Sequence, residues 1–352
     1  MKPTGRKVFA AGGFAWTFRP RAVAVPAVAF VALVVVAAVN IGKGSSHIDV
    51  LDVLKTLLGG GTARERGIIF DLRLPRTLTG VLVGGALGLS GAVFQSVARN
   101  PLAGPDILGV TWGAGVGAVA VIVAGGTGGQ VSGFASVVGV PLAALAGGLV
   151  AGVLLYALSW RRGIDGYRMV LVGIGLSAVG YNLVYWLLTI GDVDNAARAT
   201  TWIVGSLSDV GWESVGPVAL ALVVLLPATL VCGRTIGGLQ FGDETARGLG
   251  IRVDAARGTL LLLAAALAAV ATAAAGPITF VALATPQIAV RLTRAAQPPL
   301  AGSAVLGALL TVTADLAVRL VLPGVPVGVL TAILGAPYLI FLFVKSRREV
   351  GA

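Results

Sequence analysis

The sequence predicts an all-α, polytopic membrane protein of about ten transmembrane helices, and three observations carry that reading. Of its 352 residues, 57% are hydrophobic and 12% charged, whereas a soluble domain carries roughly 25% charged residues. The apolar residues come in runs near the ~20-residue length that crosses a hydrocarbon layer. The charges fall between those runs. A soluble fold must still cover its exterior with polar groups and has no way to bury this much apolar surface.

The runs lie at 22–40, 77–98, 111–125, 133–160, 168–190, 214–233, 258–275, 277–292, 301–321 and 326–344. The first follows a basic tail, 1–20, and lacks a small-residue cleavage pattern, so it reads as a retained helix and not as a removed signal peptide. The third and eighth are short for full spans and are flanked by Gly and Pro. Such segments suit broken or tilted helices whose free backbone groups are covered by protein or water. The whole chain, 1–352, reads as one membrane domain, with a polar cytoplasmic loop at 233–257.

Orientation follows from the cations, which crowd cytoplasmic loops. With the amino terminus inside, only Lys43, Lys55, Arg64, Arg66, Arg73, Arg76, Arg198 and Arg319 fall outside. The remaining Lys and Arg lie inside, which puts both termini in the cytoplasm. The net charge of +11 is spread through these loops; it is topology control and not a nucleic-acid patch. The 51 glycines include the run Gly84-Gly85-Ala86-Leu87-Gly88-Leu89-Ser90-Gly91. Small residues let helix backbones approach in lipid, and packing accounts for any single glycine here.

Composition excludes several kinds of chemistry. One cysteine, Cys232, and one histidine, His47, make no disulfide and no usual zinc, haem or iron–sulfur site. Any metal handled here therefore arrives inside a ligand. No Gly-rich segment ends in Gly-Lys-Ser/Thr, so the chain has no Walker A loop, and ATP, if used, binds elsewhere. Catalytic groups are too few for a membrane-embedded enzyme. An ion-driven secondary carrier expects carboxylates within its spans. Asp315 is the one acid deep in a run, and it stands four residues before Arg319, where a local ion pair accounts for both.

Three segments depart from simple spans. Arg73-Leu-Pro-Arg76 lies on the outside against the charge bias. Two guanidiniums there suit an acidic partner surface, although interfacial anchoring serves as well; Arg319 lies near the same face. In the inner loop, Gly242-Asp243-Glu244-Thr245-Ala246-Arg247-Gly248-Leu249-Gly250-Ile251 opens with helix-starting acids and ends in glycines. It reads as a short surface helix able to engage a soluble motor subunit, or as an ordinary loop. The outer stretch 199–215 carries Trp202 and Trp212 and reads as a surface helix near a pore mouth or as an interfacial aromatic belt.

At these residues the sequence resembles the FecCD family, the permeases of iron-siderophore, haem and cobalamin ABC importers. The likeness runs through Arg73-Leu-Pro-Arg-Thr-Leu78, Gly84 to Gln95, Arg99-Asn-Pro-Leu-Ala-Gly-Pro-Asp-Ile-Leu-Gly-Val-Thr111, Gly242 to Ile251, Ala275 to Leu283 and Val325 to Tyr338. It implies the type II ABC importer permease fold, with the fifth and tenth helices near the central path. It further implies a second permease subunit, two ATPase subunits that hold the ATP and Mg, and an extracytoplasmic siderophore-binding protein. No cofactor is expected on this chain. The resemblance assigns Arg73, Arg76 and Arg319 to docking of the binding protein. It assigns Gly242, Asp243, Glu244, Ala246, Arg247, Gly248, Leu249 and Gly250 to the helix that couples to the ATPase. Many members have Pro-His where this chain has Pro286-Gln287. That form, with the Asn-Pro-Leu-Ala-x-Pro-Asp-Ile-Leu-Gly wording, resembles the siderophore branch more than the cobalamin one. Ferric siderophore is the expected cargo and a heterodimer of permeases the expected assembly, with cobalamin or haem as the alternative.

Overall fold

The computed structural model describes residues 7–11, 14–18, 20–44, 48–125, 139–161, 163–208 and 210–350. His47, Arg162, the first residues of the 133–160 run and much of the basic tail lie outside the described residues. Two short strands, Lys7–Ala11 and Phe14–Phe18, pair antiparallel within that tail. They are the one departure from an all-α chain among the described elements.

The helices are α1 (Pro20–Gly42), α2 (Val50–Leu57), α3 (Ala63–Arg66), α4 (Leu74–Ala98), α5 (Val110–Ala124), α6 (Val140–Ser159), α7 (Gly166–Ile190) and α8 (Val193–Ile203). They continue with α9 (Trp212–Cys232), α10 (Ile236–Leu239), α11 (Asp243–Gly248), α12 (Val253–Ala275), α13 (Val281–Thr293), α14 (Leu300–Val321) and α15 (Val327–Val350). Each of the ten expected apolar runs is one helix: α1, α4 to α7, α9 and α12 to α15. As the sequence suggests, the third and eighth are short, α5 with 15 residues and α13 with 13.

α4 is the axis of the molecule. A π turn, Gly67–Arg73, joins it to α3, so one continuous helical segment runs from Ala63 to Ala98. Nearly every residue from Val83 to Ala98 is buried, against α14, α12, α13 and α9. The glycine run makes this packing possible. A Cβ at Gly84 would collide with the Gly307 carbonyl, one at Gly88 with the Ser303 carbonyl, and one at Gly307 with the Gly84 carbonyl. Backbone thus lies against backbone along α4 and α14, where van der Waals contact replaces the missing hydrophobic drive between helices in lipid. α5 and α6 meet in the same way through Gly113, Gly117 and Gly147. By contrast, α7 shows Leu171, Ile174, Val179, Tyr185 and Trp186 on its outer surface, a face suited to lipid or a partner helix.

The outer stretch 199–215 differs from the expected surface helix. α8 starts earlier, at Val193 after Asp192, and Gly205 at φ 71° ends the helical path before α9 begins at Trp212. Trp212 donates its indole N–H to the Phe70 carbonyl at 2.8 Å, which ties α9 to the π turn.

Candidate functional site

Arg76 in the first turn of α4 and Arg99 at its cap are 23 residues apart, or about 35 Å at 1.5 Å per residue. Each pairs with an aspartate, and these two clusters mark opposite ends of the molecule.

At the first end, Asp315 of α14 is 1% exposed and sits between two arginines, Arg76 and Arg319. Arg76 donates from Nε to Oδ1 at 3.0 Å and to Oδ2 at 3.3 Å, and from Nη2 to Oδ1 at 2.5 Å. Asn40 Nδ2 donates to Oδ2 at 3.0 Å, and Thr77 Oγ1 donates to Asn40 Oδ1 at 3.0 Å. Arg319 Nε lies 3.1 Å from Asp315 Oδ2, so the pair read from the i, i+4 spacing is present. The stronger, bidentate partner is Arg76, which sequence spacing had no means of showing. Arg73 is also buried and donates from Nη1 to the Ile41 and Gly42 carbonyls at 2.8 and 3.0 Å. It satisfies carbonyls at the α1 carboxyl end, where a cation also meets the negative end of the helix dipole. The structure therefore brings all three predicted arginines together. They line a recess of about 750 Å³ with Asp71, Glu213 and Gly211.

At the other end, α11 covers the predicted segment. Gly242 at φ 97° precedes it, and Gly250 at φ 79° ends it. Gly250 N–H donates to the Arg247 carbonyl and Ile251 N–H to the Ala246 carbonyl, at 2.9 and 3.0 Å. That bond pair is a Schellman motif, which needs a left-handed residue at Gly250. Ala246 is buried, while Glu244, Thr245, Arg247, Gly248 and Leu249 face outward, as does Phe241 before them. Asp243 fixes the helix to the body. Arg257 of α12 donates from Nη1 to Oδ2 at 2.9 Å and from Nη2 to Oδ1 at 2.6 Å, and Arg99 reaches Oδ1 at 3.3 Å. Arg257 also bonds the Ile164 carbonyl, and Arg99 the Leu239 carbonyl. The hydrogen bonds from Arg257 hold the Asp243 carboxyl below the usual range despite partial burial, with further pull from Arg99 and Arg247.

Two further polar groups lie between these ends, and their contacts have no signal in the sequence. Asp106 accepts from Thr111 Oγ1 at 2.8 Å and from Phe280 N–H at 3.2 Å. It holds the break between α12 and α13, where Phe280 has φ 66°. Gln287, the residue that departs from the commoner Pro-His form, donates to Gln95 Oε1 at 2.7 Å, and Gln95 in turn donates to the Leu283 carbonyl at 3.0 Å. The two amides thus form a one-way chain that ends on the backbone at Leu283. Among the described residues no group of His, Cys, Asp and Glu is placed to hold a metal ion.

Among the described residues, seven helices long and apolar enough to cross a membrane, two shorter apolar ones, a charged recess at one end and a short exposed helix at the other define a polytopic transport permease. The chain belongs to the FecCD transport family, whose sequence profile matches residues 31–345. It is 38% identical over 309 residues to the ferric enterobactin transport system permease protein FepG of Escherichia coli, covering 87% of this chain and 91% of FepG. It is also 38% identical over 328 residues to the iron(3+)-hydroxamate import system permease protein FhuG of Bacillus subtilis, covering 92% and 97%. The fold matches a solved metal-chelate type ABC transporter in an inward-facing conformation, with a TM-score of 0.77 and 27% identity, over 92% of this chain and 99% of that one.

Proposed function

We propose that this chain is the membrane-spanning permease subunit of an ATP-driven importer that passes ferric siderophore into the cytoplasm. The observation that carries the reading is the exposed α11, clamped to α12 and to the α4 cap through Asp243. It is a short rigid handle with apolar and charged groups outward, suited to the groove of an ATPase subunit. The permease name borne by FepG and FhuG, and the iron chelates in their names, support the cargo. The Lys and Arg distribution supports an arrangement with both termini and α11 in the cytoplasm. The recess around Asp315 then faces outward and receives acidic side chains of an extracytoplasmic binding protein. The complete transporter has a second, different permease subunit and two ATPase subunits that bind ATP and Mg. Work on α11 shifts the helices between states that differ in partner affinity.

An ion-coupled carrier is the less supported reading. Its obvious candidate group, Asp315, is occupied by Arg76, Asn40 and Arg319. The test is uptake of radioactive iron in cells with and without the gene, offered as several ferric siderophores and as free iron. Loss of uptake for one siderophore class, and only when the partner ATPase site is intact, is expected. Normal iron uptake with loss of cobalamin or haem uptake would overturn the cargo and leave the family standing.

A further inference from the structure

α15 meets the rest of the chain along one stripe. Gly328, Thr331 and Gly335, which share a helix face, are buried, while Ile333, Leu334 and Ile340 are exposed. Both glycines of the stripe rest on irregular backbone. At Gly328 a Cβ would collide with the Val204 carbonyl, and the Gly328 N–H donates to the Gly205 carbonyl at 3.1 Å. At Gly335 a Cβ would collide with Cβ and Cγ of Phe280, in the break between α12 and α13. Phe280 thus fills the notch that Gly335 leaves open, and its position sets how closely α15 can approach the break.

Phe280 holds this place in the left-handed region, at φ 66°. A bulky residue stays there only where its surroundings over-determine the backbone. Asp106 supplies that constraint: its Oδ2 accepts the Phe280 N–H at 3.2 Å while its Oδ1 accepts Thr111 Oγ1 at 2.8 Å. The turn bearing Asp106 is itself tied to α7, since Ser177 Oγ donates to the Asp106 and Ile107 carbonyls at 3.1 and 2.8 Å. A line of contacts therefore runs from α7 through Asp106 and Phe280 to α15. Beside it lies a cavity of about 360 Å³, bounded by Trp112 and Gly115 of α5 and by Val329 and Ala332 of α15. α15 has room to shift there once Phe280 is released. We propose that Asp106 is a positioning residue for α15, acting through Phe280, and that the seat it sets governs the rate of cargo passage and not the docking of a binding protein. This rests on the permease reading above and adds to it a residue with a stated job.

The experiment uses the complete transporter in lipid vesicles. It reads uptake of ferric siderophore against binding-protein concentration. In a Cys232→Ser background it also reads the distance between nitroxides carried by Leu183→Cys on α7 and Leu334→Cys on α15. Gly335→Ala is expected to lower maximal uptake about tenfold or more, with half-saturation and the amount of protein in the membrane unchanged. Phe280→Gly suits the left-handed backbone and clears the notch. The double variant Gly335→Ala/Phe280→Gly should therefore recover to within about threefold of Phe280→Gly alone. Asp106→Asn keeps an acceptor for Thr111 but turns an amide NH₂ toward the Phe280 N–H. It is expected to broaden the nitroxide distance and to lower maximal uptake about tenfold in the parent, yet less than about twofold in the Phe280→Gly background, where no side chain is left to position. Equal losses in both backgrounds would show that Asp106 acts on the fold at large and would overturn the proposal. So would parental uptake in Gly335→Ala, or a double variant no better than that single one. If Gly335→Ala does not accumulate, the two Asp106→Asn backgrounds decide. A parent that imports no ferric siderophore would sink the cargo reading instead, and the nitroxide distances would still decide whether Asp106 seats α15.

Discussion

Asp315 and Asp243 are each held by two arginines, one of which α4 supplies: Arg76 in its first turn and Arg99 at its cap. The surroundings differ. The Asp315 side chain is 2% exposed and its two arginines 17% and 11%. The Asp243 side chain is 36% exposed, with Arg257 at 8% and Arg99 at 46%. The Asp315 cluster ties three long helices together in the interior, and its fixed charges face a recess. The Asp243 cluster fixes one short helix to the surface and leaves most of that helix outward. The same chemical pair is thus fully buried at one end and half-exposed on its carboxylate side at the other, and a carboxylate that water reaches is cheaper to rearrange than one enclosed with its arginines.

Stability separates the two ends most sharply. Asp315→Ala leaves Arg76 and Arg319 buried without their carboxylate and is expected to cost about 3–5 kcal/mol. Asp243→Ala strands the buried Arg257 guanidinium, which keeps its bond to the Ile164 carbonyl, and is expected to cost less, about 1–3 kcal/mol. Thermal unfolding in detergent reads both, and equal losses would break the comparison. A smaller effect is expected at the end of α11. Gly250→Val forces a branched residue into the left-handed region at a cost of about 1–2 kcal/mol. Because the strain falls on the handle, ATP-driven uptake should drop several-fold while the amount of protein in the membrane is unchanged. Smaller again is the response to salt. Raising ionic strength from about 0.05 to 0.5 M should loosen α11, seen as faster proteolysis near Phe241, and leave the buried Asp315 cluster untouched. Last is pH. The folded Asp243 carboxyl titrates below its usual value, so its stabilisation is present above the ordinary aspartate range and fades only as pH falls through the lowered folded value. Proteolysis of the α11 segment should therefore be constant between about pH 8 and pH 5; a change within that window would contradict the Arg257 clamp.

Much of this was legible in the sequence, for reasons that also mark where legibility ends. Lipid demands long apolar runs, so each span announces itself, including the short α5 and α13. α11 was readable because its boundaries are local chemistry: Gly242 and Gly250 take backbone angles that other residues resist, and Asp243 and Glu244 suit a first turn. Asp315 and Arg319 were paired by helical spacing. Arg76 with Asp315 was not, because 239 positions separate them and only the packing of α4 on α14 brings them together. Arg73 looked like a free docking group because nothing in its neighbourhood of sequence reveals that the end of α1 needs its guanidinium. The contacts of Asp106 and Gln287 were not readable for the same reason: Phe280 and Gln95 lie on other elements. The surface helix was misplaced because two tryptophans drew attention to 199–215, while Asp192 and Gly205 set the actual limits of α8.

The division of labour between the two ends is tested most directly by uptake of radioactive ferric siderophore into vesicles holding the complete transporter, measured against binding-protein concentration. Arg319→Gln should raise the half-saturating concentration of binding protein at least tenfold and leave the maximal rate within about twofold. Asp243→Lys should lower the maximal rate at least tenfold and leave half-saturation unchanged. The opposite assignment, or the same change in both variants, would contradict the account.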